Sequence, residues 1–334
     1  GEAKDVKTIR EVVKQENPAE NVVFAQGSPM LGADVVLEGF TEGTQDSSWT
    51  PQEETQMLEE AVKAAAGAEK VVLCIGEDRL QSGEATSNAN IQIPEIQQKL
   101  LDRIAEVNTN VIVVLFSGRP LDIRGIESKA KAILEVWMPG TEGAGAIADV
   151  LYGACNPTGK LPMSFPYCVG QVPVHYNEYA TGRPHVEGKD KDRFRSKYLD
   201  IPNAPLYPFG YGLSYTTFTV SEVLLDKDSM KDGESIRAAV TVKNTGTCAG
   251  TETVQLYLHD VAASVVRPVK ELKDFRKVTL QPEEEARVEF TITEPQLRFL
   301  SENNIFESEA GIFEIFIGTD STTTNKAKFT LEKQ

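Results

Sequence analysis

The chain has 334 residues, a length that favours two domains over one or four. Hydrophobic residues make up 40% and charged residues 25%, which fills a core in each half and excludes disordered and fibrous classes. With 34 Lys and Arg against 50 Asp and Glu the formal net charge is −16, so the summed field repels polyanions and no nucleic-acid partner is expected.

In chain order, Val6, Ile9, Val12 and Val13 make a helical stripe over Asp5 to Gln15, followed by an extended Asn21 to Gln26. Thr50 stands as an N-cap before Pro51 and predicts a helix from Pro51 to Ala66. The run Lys70 to Ile75 reads as a strand and Pro94 to Val107 as a helix. Val111 to Phe116 and Ala130 to Trp137 read as strands and Glu142 to Tyr152 as a helix. β-branched runs apolar on both faces and alternating with helices signify α/β architecture, an open, mostly parallel sheet layered with helices, over residues 1–155. Cys74 reads as core, and the longest apolar run is far short of the roughly 18 residues a membrane span needs.

Residues 156–218 are rich in Pro, Gly and Tyr and lack periodicity, which suggests a linker that wraps over the domains. From 219 to 334 the period is two: Ile236, Ala238, Val240 and Val242 alternate with Arg237, Ala239, Thr241 and Lys243, and Val254 to Leu258, Val288 to Ile292 and Phe313 to Ile317 do likewise. Turn chemistry at Lys231-Asp-Gly233, Asn244-Thr-Gly246 and Gln281-Pro282 punctuates about seven strands, the pattern of an all-β, fibronectin-type sandwich.

In an open parallel sheet, ligands collect beyond the carboxyl ends of the strands. The long loop after Ile75 holds Glu77, Asp78 and Glu84, any of which could protonate a leaving group if a dry pocket raised its pKa; the plain alternative is three solvated charges. In the next loop Arg119 and Asp122 could meet a polar ligand or form a surface ion pair. Trp137 could stack on a sugar ring, although a core Trp is the commoner outcome at a strand end. Three histidines without helical spacing, four cysteines without a CxxC pair, and the absence of GxSxG and GxGxxG elements argue against a metal, a Ser-His-Asp hydrolase and a dinucleotide cofactor. A Cys155–Cys168 disulfide is one conceivable pairing, which sequence alone cannot assign.

Taken together, Val72 to Glu77, Gly83-Glu-Ala-Thr-Ser87 with Ile93-Pro94, Trp137 to Gly143, Ala146 to Gly153, Asn156 to Pro162, Pro205 to Phe218 and Arg267 to Lys273 resemble the C-terminal portion of a glycoside hydrolase family 3 enzyme of the periplasmic β-glucosidase type. The resemblance implies an α/β sandwich followed by a fibronectin-like domain, with a TIM-like barrel ahead of both and a periplasmic or secreted location. It also implies a retaining exo-β-glycosidase acting on β-linked glucosides or oligosaccharides, whose Asp nucleophile sits on the barrel and whose acid/base is carried over to Glu84. Arg119 and Trp137 are the further substrate-binding candidates. Two departures stand out: Asn88 replaces an Arg usual in relatives, and the first strand of the family's α/β domain is not recognised. The expectation is a truncated or clipped piece, or a chain that pairs with a separate barrel, inactive by itself. The alternative is a non-catalytic carbohydrate-binding or scaffold module.

Overall fold

The computed structural model describes residues 6–16, 22–31, 49–78, 81–186, 188–189 and 191–333. They fall into two compact units, residues 1–155 with 166–172, and residues 156–165 with 173–334. The segment 156–218, expected as one linker, is thus divided between the units.

The first unit contains α1 (Ile9–Glu16), α2 (Pro51–Ala66), β1 (Val71–Gly76), α3 (Glu95–Val107), β2 (Val111–Phe116), α4 (Arg124–Glu127), β3 (Ala132–Glu135) and α5 (Gly143–Leu151). Thr50 caps α2 ahead of Pro51 as the sequence predicts, and Glu53 completes a capping box: the Glu53 N–H donates to Thr50 Oγ1 at 3.3 Å and the Thr50 N–H to Glu53 Oε2 at 2.8 Å. α1 begins later than its apolar stripe suggests because Thr8 and Glu11 make the same reciprocal pair, at 3.2 and 2.7 Å. Residues 22–26 of the expected extended segment pair with no strand among the described residues. Val23 and Phe24 are exposed, and β propensity without a face to pack on does not make a strand.

The strands form a parallel sheet in the order β1-β2-β3, with Val71 opposite Val111 and Ile112 opposite Ala132. In the centre, β2 is apolar throughout because Val113, Val114 and Leu115 are fully buried on alternate faces. At the edge of the described sheet, β1 has one packed face: Leu73 and Ile75 are buried, while Val72 and Cys74 are exposed. Cys74 is therefore not the core residue its apolar neighbours imply. Each of the four cysteines carries a thiol, so the Cys155–Cys168 pairing is not made.

The second unit contains β4 (Phe218–Val220), β5 (Leu224–Leu225), β6 (Ser229–Lys231), β7 (Ser235–Asn244), β8 (Gly250–Asp260), β9 (Glu271–Leu280), β10 (Glu285–Thr293), β11 (Phe299–Leu300), β12 (Phe306–Glu307), β13 (Gly311–Gly318) and β14 (Lys326–Glu332). One large sheet runs β10-β7-β4 with β5 also on β7, a second runs β6-β14-β13-β8-β9, and β11 and β12 pair as a two-stranded ribbon. The alternating residues Ile236, Ala238, Val240 and Val242 enter one core with Leu256, Phe290, Ile315 and Phe329. The three predicted turns join β6 to β7, β7 to β8 and β9 to β10. Strand β9 escapes the sequence pattern because it lies at a sheet edge, where Glu271, Lys273, Asp274, Arg276 and Lys277 blunt the open ladder.

Glu294 makes the acid stability of this unit predictable. Arg298 donates Nε–H to it at 2.9 and 3.1 Å, the Ser308 hydroxyl donates as well, and Lys333 lies 3.6 Å away. The Arg298 hydrogen bonds, then Ser308 and the two positive charges, outweigh burial and hold the carboxyl at about 2. A carboxyl lowered on folding stabilises the native state above its ordinary pKa of 4.5, and that contribution fades as pH falls towards 2. Discounted for screening at exposed Arg298, it is about 2 kcal/mol. Urea titrations at pH 7 and pH 3 are expected to show a smaller acid loss of stability in Glu294→Gln than in the parent.

Candidate active site

The carboxyl ends of the three parallel strands bring together Gly76 and Glu77, then Ser117, Gly118 and Arg119, then Glu135 and Trp137. Gly76 is required here: at φ 145° a Cβ would stand 1.8 Å from the Phe116 carbonyl oxygen, so only glycine lets β1 and β2 close at this point. Behind it, buried Gln97 from α3 accepts the Gly76 N–H at 2.7 Å and donates to the Gly76 carbonyl at 3.0 Å and the Met30 carbonyl at 2.8 Å. The polar side chain on the buried face of α3 thus pins the strand end from which the loop departs.

Glu77 is not a solvated loop charge; it is 4% exposed. Its carboxylate pairs with Arg119 Nε at 3.0 Å and accepts the Gly118 N–H at 3.1 Å and Asn88 Nδ2 at 3.4 Å. The same Arg119 donates Nη2–H to the Gln81 carbonyl and, at 3.0 Å, to the Thr86 carbonyl. Asn88 adds a bond to the Gln81 carbonyl at 3.2 Å, and the Thr86 hydroxyl donates to the Gly83 carbonyl at 2.7 Å. Residues 81–88 are therefore tied at both ends to one buried ion pair. Between the ties Glu84 is exposed, flanked by Gly83 at φ 129° and Ala85 at φ 60°, two left-handed backbones that turn the tip outward.

Of Glu84, Arg119 and Trp137, the structure joins the first two in one network: Arg119 holds the loop whose tip is Glu84. Asp122 and Arg119 do not pair. Asp122 takes a fork from Arg124 at 3.0 and 2.9 Å, and against the pull of burial that fork holds its carboxyl below the usual range. Trp137 is half-buried and has φ 54°, an unusual backbone for a bulky residue, with its N–H donated to Glu135 Oε1 at 2.7 Å.

Sequence reading passed over Glu135 and Gln97. Glu135 Oε1 also accepts the Ser117 hydroxyl at 3.2 Å, while Oε2 is buried and, among the described residues, has no hydrogen-bond partner. Burial first, then the nearby Glu77 charge, push its carboxyl up to about 7 against those two hydrogen bonds. A charged residue ending an otherwise apolar strand at a sheet's carboxyl edge was the available signal. Among the described residues no group of His, Cys, Asp and Glu could hold a metal, and no helix is long and apolar enough to cross a membrane.

Residues 3–215 match the glycosyl hydrolase family 3 C-terminal domain, and residues 252–321 match a fibronectin type III-like domain. The chain is 42% identical over 310 residues to a periplasmic beta-glucosidase of Salmonella typhimurium, covering 93% of this chain and 40% of that protein. It is 39% identical over 268 residues to thermostable beta-glucosidase B of Acetivibrio thermocellus, covering 80% of this chain and 35% of that one. A crystal structure of a Listeria innocua beta-glucosidase in complex with isofagomine superposes with a TM-score of 0.80 at 41% identity, over 84% of this chain and 39% of that chain. The chain therefore spans about two fifths of the length of such relatives.

Proposed function

The chain belongs to glycoside hydrolase family 3, and from that premise we propose that it furnishes the acid/base side of a retaining β-glucosidase site, with Glu84 as the proton donor and acceptor. The observation that carries the reading is the tied loop: an exposed carboxyl is presented beyond the ends of parallel strands by a buried Glu77–Arg119 pair. A carboxyl that works on a sugar has to stand free of its own domain while its backbone is held to within a fraction of an ångström, and this arrangement supplies both conditions.

Retention requires a second carboxylate roughly 5–5.5 Å from the first, on the opposite face of the anomeric carbon. In this proposal it is an Asp on a TIM-like barrel, in the same polypeptide or in a partner. Glu84 protonates the departing oxygen as the Asp attacks, then deprotonates the water that releases the sugar; microscopic reversibility gives both jobs to one group. Trp137 and the Arg119 loop border the aglycone side, and the fibronectin-like unit serves as support. The location that goes with this reading is periplasmic or secreted.

The test is complementation. The 334 residues alone are expected to leave an aryl β-glucoside intact, and addition or fusion of a family barrel is expected to produce turnover that depends on Glu84. Turnover by the 334 residues alone, abolished by Glu84→Gln, would refute the division of labour.

A further inference from the structure

The three strand ends carry one acidic group that the proposed chemistry does not use, Glu135. From β1 it faces Glu77, whose charge is matched by Arg119 from the loop after β2, and from the end of β2 it faces Ser117. Among the described residues no ion pair reaches Glu135, and Oε2 is buried without a hydrogen-bond partner. Its other oxygen is the acceptor for the backbone N–H of Trp137, the residue held at φ 54°. A left-handed backbone at a bulky residue costs on the order of 1–3 kcal/mol and persists only where its surroundings hold it. A carboxylate accepts such an N–H about twice as strongly as a neutral carboxylic acid does.

We infer that Glu135 is a proton-controlled positioning residue: ionised, it holds Trp137 in its strained conformation at the edge of the site, and on taking up a proton it releases the Trp137-Met138-Pro139-Gly140 turn. The inference extends the reading above, in which Trp137 borders the aglycone side. It needs no sugar to be tested, so its failure is separable from failure of that reading. The pH window follows from the carboxyl standing near 7 in the folded chain: the hold is full above neutrality and fades below it.

The experiment uses Trp49→Phe in the full chain, leaving Trp137 as the sole indole. Emission is expected to shift to the red in one step on acidification from pH 8.5 to 5.5, with a midpoint near 7, and the step is expected to vanish in Glu135→Gln. Ser117→Ala, which removes a hydrogen bond favouring the ionised form, is expected to move the midpoint upward by about half a pH unit. The Ser117 variant keeps the idea falsifiable should Glu135→Gln fold poorly by circular dichroism. A flat titration in the parent, a step that survives in Glu135→Gln, or an unmoved midpoint in Ser117→Ala overturns the assignment.

Discussion

Glu84→Gln, assayed with the barrel in place, is expected to lower kcat/KM for an aryl β-glucoside with a poor leaving group by about 10²–10⁴-fold, the usual share of a positioned acid/base. The size of the loss should follow the leaving group. A dinitrophenolate departs without a proton, so sugar transfer to the enzyme is spared, the covalent intermediate accumulates, and kcat and KM fall together. Azide needs no general base to attack that intermediate and should restore turnover, giving a glycosyl azide of retained configuration. Glu77 and Glu135 cannot substitute for Glu84, because one is spent on Arg119 and the other on Ser117 and the Trp137 backbone. Unchanged turnover of the poor substrate in Glu84→Gln would remove Glu84 from the chemistry.

Much of the fold was legible because it rests on short-range signals. Thr50 and Pro51 write the start of α2 into two residues, and the alternation through Ile236, Ala238, Val240 and Val242 declares which face of β7 is packed. Signals that depend on what packs against them were not legible. The face of β1 that leaves Cys74 exposed reads the same as a covered one, and β9 hides its strand character behind the charges that protect its edge. At the candidate site, the resemblance of Gly83 to Ser87 directed attention to Glu84, but nothing local says that Arg119 reaches Gln81 and Thr86 across more than thirty residues of chain. Burial also cannot be read from a polar loop. Glu77, Asp78 and Glu84 look alike in sequence, and only the return of Gly118 and Arg119 beneath the loop separates the buried carboxylate from the exposed one. The Asn88 departure has a structural use of its own, since its amide joins Glu77 to the Gln81 carbonyl.

Arg119→Met is expected to destabilise the first unit by about 3–5 kcal/mol in urea titration, because it leaves the buried Glu77 carboxylate without its cation. A hydrophobic of similar length keeps much of the packing, so the loss reports the uncompensated charge and the freed Gln81 and Thr86 carbonyls rather than a cavity. Adding Glu77→Gln to Arg119→Met should return part of that stability, since removing both partners strands no charge, and the two changes should be strongly non-additive. Arg119→Lys separates the two jobs of the guanidinium. An ammonium can neutralise Glu77 but cannot span both loop carbonyls with a planar fork, so stability should largely return while proteolysis within residues 81–88 stays faster than in the parent. A Met variant within about 1 kcal/mol of the parent, the range of a surface pair, would mean that the loop bearing Glu84 is held by something other than this ion pair. In the Met variant the bare Glu77 charge also faces Glu135, so the Trp137 emission step should move to higher pH. One substitution would thus report on loop tension and on the proton affinity of its neighbour at once.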